Sequence, residues 1–141
     1  MSMTFSRSIS AATLAYAGYC FAQPEHLPRA MGWRGERVET GKKIAYVLGA
    51  RDAAIGLVGV LGDAQQVRRA MQVRILFDVV DSAVLAPAGA GTTEKVKIAG
   101  VALGYGAVNL AALTADSRRA RQLSQLALLT TGPAAVQRLL S

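Results

Sequence analysis

Five charged residues lie near the middle of two apolar stretches of this 141-residue chain. Arg51 and Asp52 interrupt the first stretch, and Arg74, Asp78 and Asp81 interrupt the second. Each stretch otherwise has the composition of a membrane-spanning helix, in which a central Arg or Asp costs roughly 2.5 to 3.5 kcal/mol. Residues of this kind normally face a bundle interior and pair with one another. Guanidinium and carboxylate groups in that setting can form ion pairs, exchange protons or bind a polar ligand.

The charges of the second stretch form one stripe on a helix. Arg74 and Asp78 are four residues apart and Asp78 and Asp81 are three apart, so at 100° per residue they share an arc of about 60°. If the two helices are antiparallel neighbours, Arg51 and Asp52 lie at the depth of Asp78 and Asp81, which predicts pairing between the helices. Two arginines and three aspartates leave one negative charge in excess. That excess favours a protonated Asp, a bound cation or a bridging water.

Three interpretations of this charge cluster (Arg51, Asp52, Arg74, Asp78 and Asp81) remain open. The simplest is that the ion pairs fix two helices in register. The second is a proton or ion site, because a buried carboxylate without a full complement of partners can exchange protons. The third is a site for a lipid headgroup or a small polar ligand.

Four apolar segments predict the architecture around the cluster. They cover about 4–22, 44–61, 70–86 and 96–115. The second has eighteen residues, about 27 Å as a helix, close to the roughly 30 Å of membrane hydrocarbon. A short turn marked by Gly62-Asp63 and Arg68-Arg69 separates the second and third segments, and the Pro- and Gly-rich stretch at 87–91 separates the third and fourth; such short turns favour antiparallel neighbours. The sequence therefore predicts an all-α fold, a four-transmembrane-helix antiparallel bundle over residues 1–115.

A basic segment, 116–141, follows the predicted bundle. Leucines alternate there with basic residues that include Arg118, Arg119 and Arg121. This pattern is typical of an amphipathic helix that lies on a membrane or on a partner. We expect this C-terminal tail to form a second unit.

The fourth apolar segment contains a small-xxx-small pattern at Gly100 and Gly104. Such a pattern lets another helix approach closely, within the same chain or from another protein. Tyr105 and Asn109 are four residues apart and share one face, where they could hydrogen-bond to a neighbouring helix.

Composition excludes several classes of function. A single Cys20 and a single His26 leave no disulfide and no metal-ligand cluster, so neither a metal nor a cofactor is expected. The net charge of +7 comes from sixteen scattered Lys and Arg residues, which favours anionic lipid headgroups over nucleic acid as partners. No phosphate-binding glycine loop, HExxH or GxSxG motif occurs, so no catalytic residues are proposed and the chain is predicted not to be an enzyme.

Motifs between residues 11 and 86 resemble those of small bacterial four-helix membrane proteins of unknown function, in the style of DoxX-like bundles. The resemblance rests on Pro24, on Met31-Gly32, on the LGARDAAIG segment at 48–56 and on the RILFDVVD segment at 74–81. It implies a four-span bundle with the Arg-Asp and Asp-x-x-Asp groups at its centre, and it brings no activity with it. The tail lies outside the match.

Location and orientation follow as expectations. We expect a multi-pass protein of the bacterial inner, or cytoplasmic, membrane. Lys and Arg residues divide equally between the two sides of a four-span topology, so the positive-inside rule does not orient it. Acidic residues concentrated on the loop side after the first span favour cytoplasmic termini.

The predicted function is that of a non-enzymatic accessory subunit that stabilises a larger membrane complex, such as a lipid or solute transport system, through contacts with other membrane protein subunits. The alternative is a small proton-coupled carrier or ion-conducting oligomer that uses the charge cluster. A soluble helical bundle is a third interpretation.

Overall fold

The computed structural model describes the backbone of residues 3–139 and the side chains of residues 3–129. Within that range the fold is all-helical, which confirms the predicted class. The helices are α1 (Thr4–Ala22), α2 (His26–Ala30), α3 (Arg37–Leu61), α4 (Ala64–Leu85) and α5 (Thr92–Leu139), with a 3₁₀ turn at Ala86–Ala88 between α4 and α5. By length and composition, α3 and the described part of α5 could each cross a membrane.

The four long helices form an antiparallel ring. α1 packs on α3, α3 on α4, α4 on α5 and α5 back on α1, while the short α2 lies against α3. Only Gly62 and Asp63 separate α3 from α4, so this pair must turn back sharply. The charge cluster is therefore carried by two helices that are neighbours along the chain and in space.

Small residues bring α1 and α3 close together. A Cβ added at Gly49 would lie 2.8 Å from Cys20 Cβ, and one added at Gly59 would lie 2.6 Å from Ser10 Cβ. Both distances are shorter than real side chains tolerate, so glycine is required for this helix contact.

Several polar and charged side chains are buried while many large apolar ones are exposed. The buried residues include Ser6, Ser10, Thr13, Asp52, Arg74, Asp78, Asn109 and Asp116, whereas large aliphatic side chains such as Val47, Leu76, Val84, Val101 and Leu103 are more than half exposed. Soluble proteins rarely expose apolar surface on this scale. Apolar side chains are buried as well, among them Met3, Met31, Val67 and Met71, so charged and apolar side chains share the interior.

Polar side chains cap the helix ends at one end of the bundle. Asp63 caps α4 by accepting from the backbone N–H groups of Gln65 and Gln66, at 2.8 and 2.9 Å. Arg7 donates through Nη1 to the Val60 carbonyl and through Nη2 to the Gly62 carbonyl, at 2.7 Å for the latter, at the C-terminus of α3. These bonds satisfy backbone groups that a helix leaves without partners.

Asp116 differs from its expected place at the start of the surface tail. It is fully buried, and its carboxylate accepts from the Ser6 N–H at 2.8 Å and the Phe5 N–H at 3.3 Å. A carboxylate at the N-terminus of α1 also matches the positive end of the helix dipole. α5 runs through this position without interruption, so the predicted boundary after residue 115 falls inside one continuous helix.

Candidate functional site

Arg51 and Asp81 form a two-pronged ion pair between α3 and α4. Arg51 Nη1 donates to Asp81 Oδ1 at 2.8 Å, and Nη2 donates to Oδ2 at 2.7 Å. The guanidinium also lies over the Phe77 ring, 4.5 Å from its centroid. Such paired bonds fix the orientation of both side chains as well as their separation.

Asp52 connects this pair to the second arginine. Its Oδ1 accepts from Arg51 Nε at 3.0 Å and also lies against Arg74 Nη1. Asp52 is almost completely buried, and its Oδ2 has no hydrogen-bond partner among the described residues. One carboxylate therefore serves two guanidinium groups while half of its accepting capacity stays unused.

Asp78 joins the cluster to α5. Arg74 Nε lies 3.2 Å from Asp78 Oδ1, and Asn109 Nδ2 donates to Asp78 Oδ2 at 3.2 Å. The same amide donates to the Tyr105 carbonyl at 2.8 Å, and the Arg74 guanidinium lies 5.4 Å from the Tyr105 ring centroid. The structure thus brings together all five predicted charges, with Tyr105 and Asn109 beside them.

The cluster is not saturated with hydrogen bonds. Arg74 Nε and Nη1 lie within ion-pair distance of carboxylates but lack hydrogen-bond geometry within the described residues. Two arginines against three aspartates leave one formal negative charge in excess. Buried polar groups without hydrogen bonds reduce the stability of a fold, and proteins commonly keep such groups where a ligand or proton binds.

A cavity of about 400 Å³ opens onto this cluster. Its inner wall carries the five charges together with Tyr16 and Tyr105, and its apolar walls include Leu48, Leu85, Ile98 and Val101. Mostly apolar walls with a few convergent polar groups are typical of small-molecule sites.

Polar residues line the end of the cavity next to α2. They are His26, Arg29, Glu94 and Lys97. The Tyr16 hydroxyl lies 3.2 Å from His26 Nε2, which links this end to the inner wall. Tyr16, His26 and Lys97 were not identified as site residues from the sequence, because only the packing of α1, α2 and α5 against each other brings them to the cluster.

The opposite end of the bundle is filled with apolar side chains. Met3, Val67, Met71, Ala112 and Leu113 form one buried cluster there. Met71 precedes Asp78 by seven residues, about 10 Å along α4. A second buried cluster, formed by Leu27, Met31 and Ala45, packs on the cavity side of the charges, so apolar clusters lie on both sides and the cavity shares Leu27 with the second one.

The remaining predicted residues lie elsewhere. Gly100 and Gly104 are exposed on α5, and a Cβ at either position would meet nothing within 4 Å. Their small-residue face makes no close helix contact within the described chain. Arg118, Arg119 and Arg121 are exposed on the same helix beyond Asp116. Among the described residues no cluster of His, Cys, Asp and Glu could hold a metal ion.

Comparisons of the chain with family models, curated proteins and solved structures found no match. The resemblance to DoxX-like bundles stays a prediction that rests on its motifs.

Proposed function

We propose that the protein is a four-span integral membrane protein that binds a small polar solute at the charge cluster and carries it with proton coupling. The observation that carries this proposal is the cavity of about 400 Å³ whose inner wall is the charge cluster. Ion pairs that only held two helices together would be more stabilising in a closed core where every polar group is hydrogen-bonded.

The exposed apolar surface supports four spans, because large aliphatic side chains on the outside and charges on the inside are expected of a bundle surrounded by lipid. α1 has 19 residues and α4 has 22, about 28 and 33 Å of helix, which suffices to cross roughly 30 Å of hydrocarbon. The charges that weaken α4 as an isolated span point inward, with Arg74 and Asp78 both buried. An inner-membrane, multi-pass location with cytoplasmic termini remains part of the proposal.

Charged residues at two levels, here called the Lys42 belt and the Arg68 belt, lie at equal distances from the charge cluster and also support a four-span arrangement. Lys42 precedes Asp52 by ten residues and Arg68 precedes Asp78 by ten, so each belt lies about 15 Å from the cluster along its helix. Lys42 pairs with Glu25 at 3.4 Å and with Glu39 at 2.9 Å. A span of about 30 Å between belts equals the thickness of the hydrocarbon layer.

The charge distribution indicates the chemistry of the solute. The excess negative charge at the inner wall favours a cationic or proton-donating group, and Arg29 and Lys97, which outnumber Glu94 at the other end, favour an anionic group. A proton bound within the cluster neutralises the excess charge, which couples solute occupancy to protonation.

Proton flux into proteoliposomes tests the carrier directly. Vesicles loaded with a pH-sensitive dye receive a potassium-diffusion potential, with choline, glycine or a polyol added outside. Flux that requires one of these solutes and disappears in the Asp81→Asn variant supports the proposal. The control is Asp63→Asn, at an exposed helix cap where Asn serves equally well, and this variant should keep the flux. Absence of flux with all three solutes in the unmodified protein overturns the carrier.

A second candidate function is the accessory subunit, and the end of α5 favours it. Ala120 is the last buried residue of the described part, and residues 121–129 are all exposed. Leu123, Leu128 and Leu129 are 56%, 72% and 72% exposed although they lie past the Arg68 belt, outside the proposed hydrocarbon layer. Leucines in that position favour contact with another membrane protein subunit.

Purification from native membranes in mild detergent tests this second candidate. A stoichiometric partner that is retained by the unmodified protein and lost in a Leu123→Glu, Leu128→Glu variant supports it. The control is Thr40→Glu with Lys43→Glu, at exposed positions of α3 away from the tail, and this variant should keep the partner. Recovery of the protein alone in repeated preparations contradicts the accessory role.

A further inference from the structure

A second cavity lies outside the charge cluster, between α4 and the part of α5 that leaves the bundle. Its volume is about 410 Å³, and its lining residues are Arg68, Ser117, Ala120, Arg121, Ser124 and Gln125. Five of these six side chains are polar, and no carboxylate is among them. This arginine groove therefore differs in charge from the solute cavity, whose lining has four acidic and four basic side chains.

The two arginines of the groove come from different helices and converge on one space. Neither Arg68 nor Arg121 forms an ion pair within residues 3–129. The nearest acidic residue along α5, Asp116, is buried against the N-terminus of α1. The groove thus presents two guanidinium groups and the Gln125 amide without an internal counter-charge.

The depth of the groove matches a headgroup layer. Arg68 is ten residues from Asp78, and Arg121 is twelve residues from Asn109, whose amide bonds to Asp78. These intervals are about 15 and 18 Å of helix on the same side of the charge cluster. In the proposed membrane orientation both guanidinium groups reach the level of the phosphates.

We propose that the arginine groove binds the phosphate group of an anionic lipid headgroup. Two arginines from separate helices recognise the geometry of phosphate oxygens better than scattered surface charges do. The proposal rests on the membrane placement but not on the solute site. Free phosphate offers the same oxygens, so the experiment must separate the two sources.

Native mass spectrometry of the full-length protein in detergent tests the groove, with phosphatidylglycerol, phosphatidylcholine and inorganic phosphate as probes. The unmodified protein should retain phosphatidylglycerol in preference to phosphatidylcholine. Arg68→Gln with Arg121→Gln should weaken retention at least about thirtyfold, because it removes direct hydrogen bonds from charged groups to the phosphate. The matched control, Arg118→Gln with Arg119→Gln, removes the same charge from exposed positions of α5 and should change retention much less.

The other outcomes are decisive as well. Retention of inorganic phosphate without retention of phosphatidylglycerol, with the phosphate lost in the Arg68→Gln, Arg121→Gln variant, would support the phosphate site but assign its ligand to the free ion. Equal loss in both double variants, or retention of neither phosphatidylglycerol nor inorganic phosphate by the unmodified protein, would overturn the groove as a site. If the protein retains phosphatidylglycerol but shows no solute-dependent proton flux, the carrier proposal is overturned and the lipid-binding proposal is supported.

Discussion

Replacing Asp81 with Leu while Arg51 is kept removes both hydrogen bonds of the ion pair between α3 and α4. The side chains of Arg51 and Asp81 are only 18% and 19% exposed, so the abandoned guanidinium is poorly compensated by water. Removing one partner of a buried pair costs about 3 to 5 kcal/mol. We expect the lower end, about 3 kcal/mol, because Arg51 keeps its 2.9 Å contact with Asp52 and faces the cavity.

The double variant Arg51→Leu with Asp81→Leu separates the pair from the general effect of each substitution. With both charges removed no uncompensated ion remains at this contact, so the loss should be smaller than the sum of the two single losses by about 2 kcal/mol. The assay is reversible unfolding of the purified protein in mixed micelles by titration with a denaturing detergent. The pair of Lys42 and Glu39, 2.9 Å apart with side chains 26% and 69% exposed, is the control and should show a much smaller coupling because water and salt screen it better. A coupling below about 0.5 kcal/mol for Arg51 and Asp81 would refute the reasoning.

Three further predictions concern other parts of the molecule. Gly59→Ala should lower the free energy of unfolding by roughly 1 to 3 kcal/mol, because its Cβ would meet Ser10. Gly100→Ala, whose Cβ would meet nothing within 4 Å, should cause no loss in the same unfolding titration. Asp116→Ala should cost about 2 kcal/mol by leaving α1 without its buried cap, and Asp116→Asn should cost less because its amide oxygen still accepts; equal losses would contradict the capping role. The backbone N–H of Trp33, the single tryptophan of the chain, donates to the Pro28 carbonyl, and Pro28 packs against Gly41 next to Lys42. Trp33 fluorescence should therefore be quenched more by lipids brominated near the headgroup than by lipids brominated near the chain end, and the reverse order would contradict this position.

The charge cluster could be predicted because helical periodicity acts locally. The stripe of Arg74, Asp78 and Asp81 follows from 3.6 residues per turn, and the short turn at 62–63 makes α3 and α4 neighbours. Once both facts hold, the contact with Arg51 and Asp52 follows from matched depth. The bounds of α1 agree with the first predicted segment for the same reason, since an apolar run that ends near a proline also marks the end of a helix.

Other features depend on tertiary packing that has no local signal. The cavity arises where α2, Tyr16 and the start of α5 meet the cluster, a meeting of segments distant in sequence. Asp116 was expected to begin the tail because polar residues usually mark the end of a span, but its partners are backbone N–H groups 110 and 111 residues away. The sequence also gives no signal that α5 would end at residue 115, because most residues from 117 to 129 are good helix formers and the next breaking signal, Gly132-Pro133, comes later.

Thiol labelling tests the central claim, a water-filled cavity inside a membrane-embedded bundle. In a Cys20→Ala background, which removes the single cysteine, Ala102→Cys places a thiol on the cavity wall and Ala107→Cys places one on the exposed outer face of the same helix. In proteoliposomes made accessible from both sides, a membrane-impermeant thiol reagent should label Ala102→Cys rapidly and Ala107→Cys far more slowly, because lipid covers the outer face. Faster labelling of Ala107→Cys would contradict the membrane placement, and equally slow labelling of both would contradict the water-filled cavity.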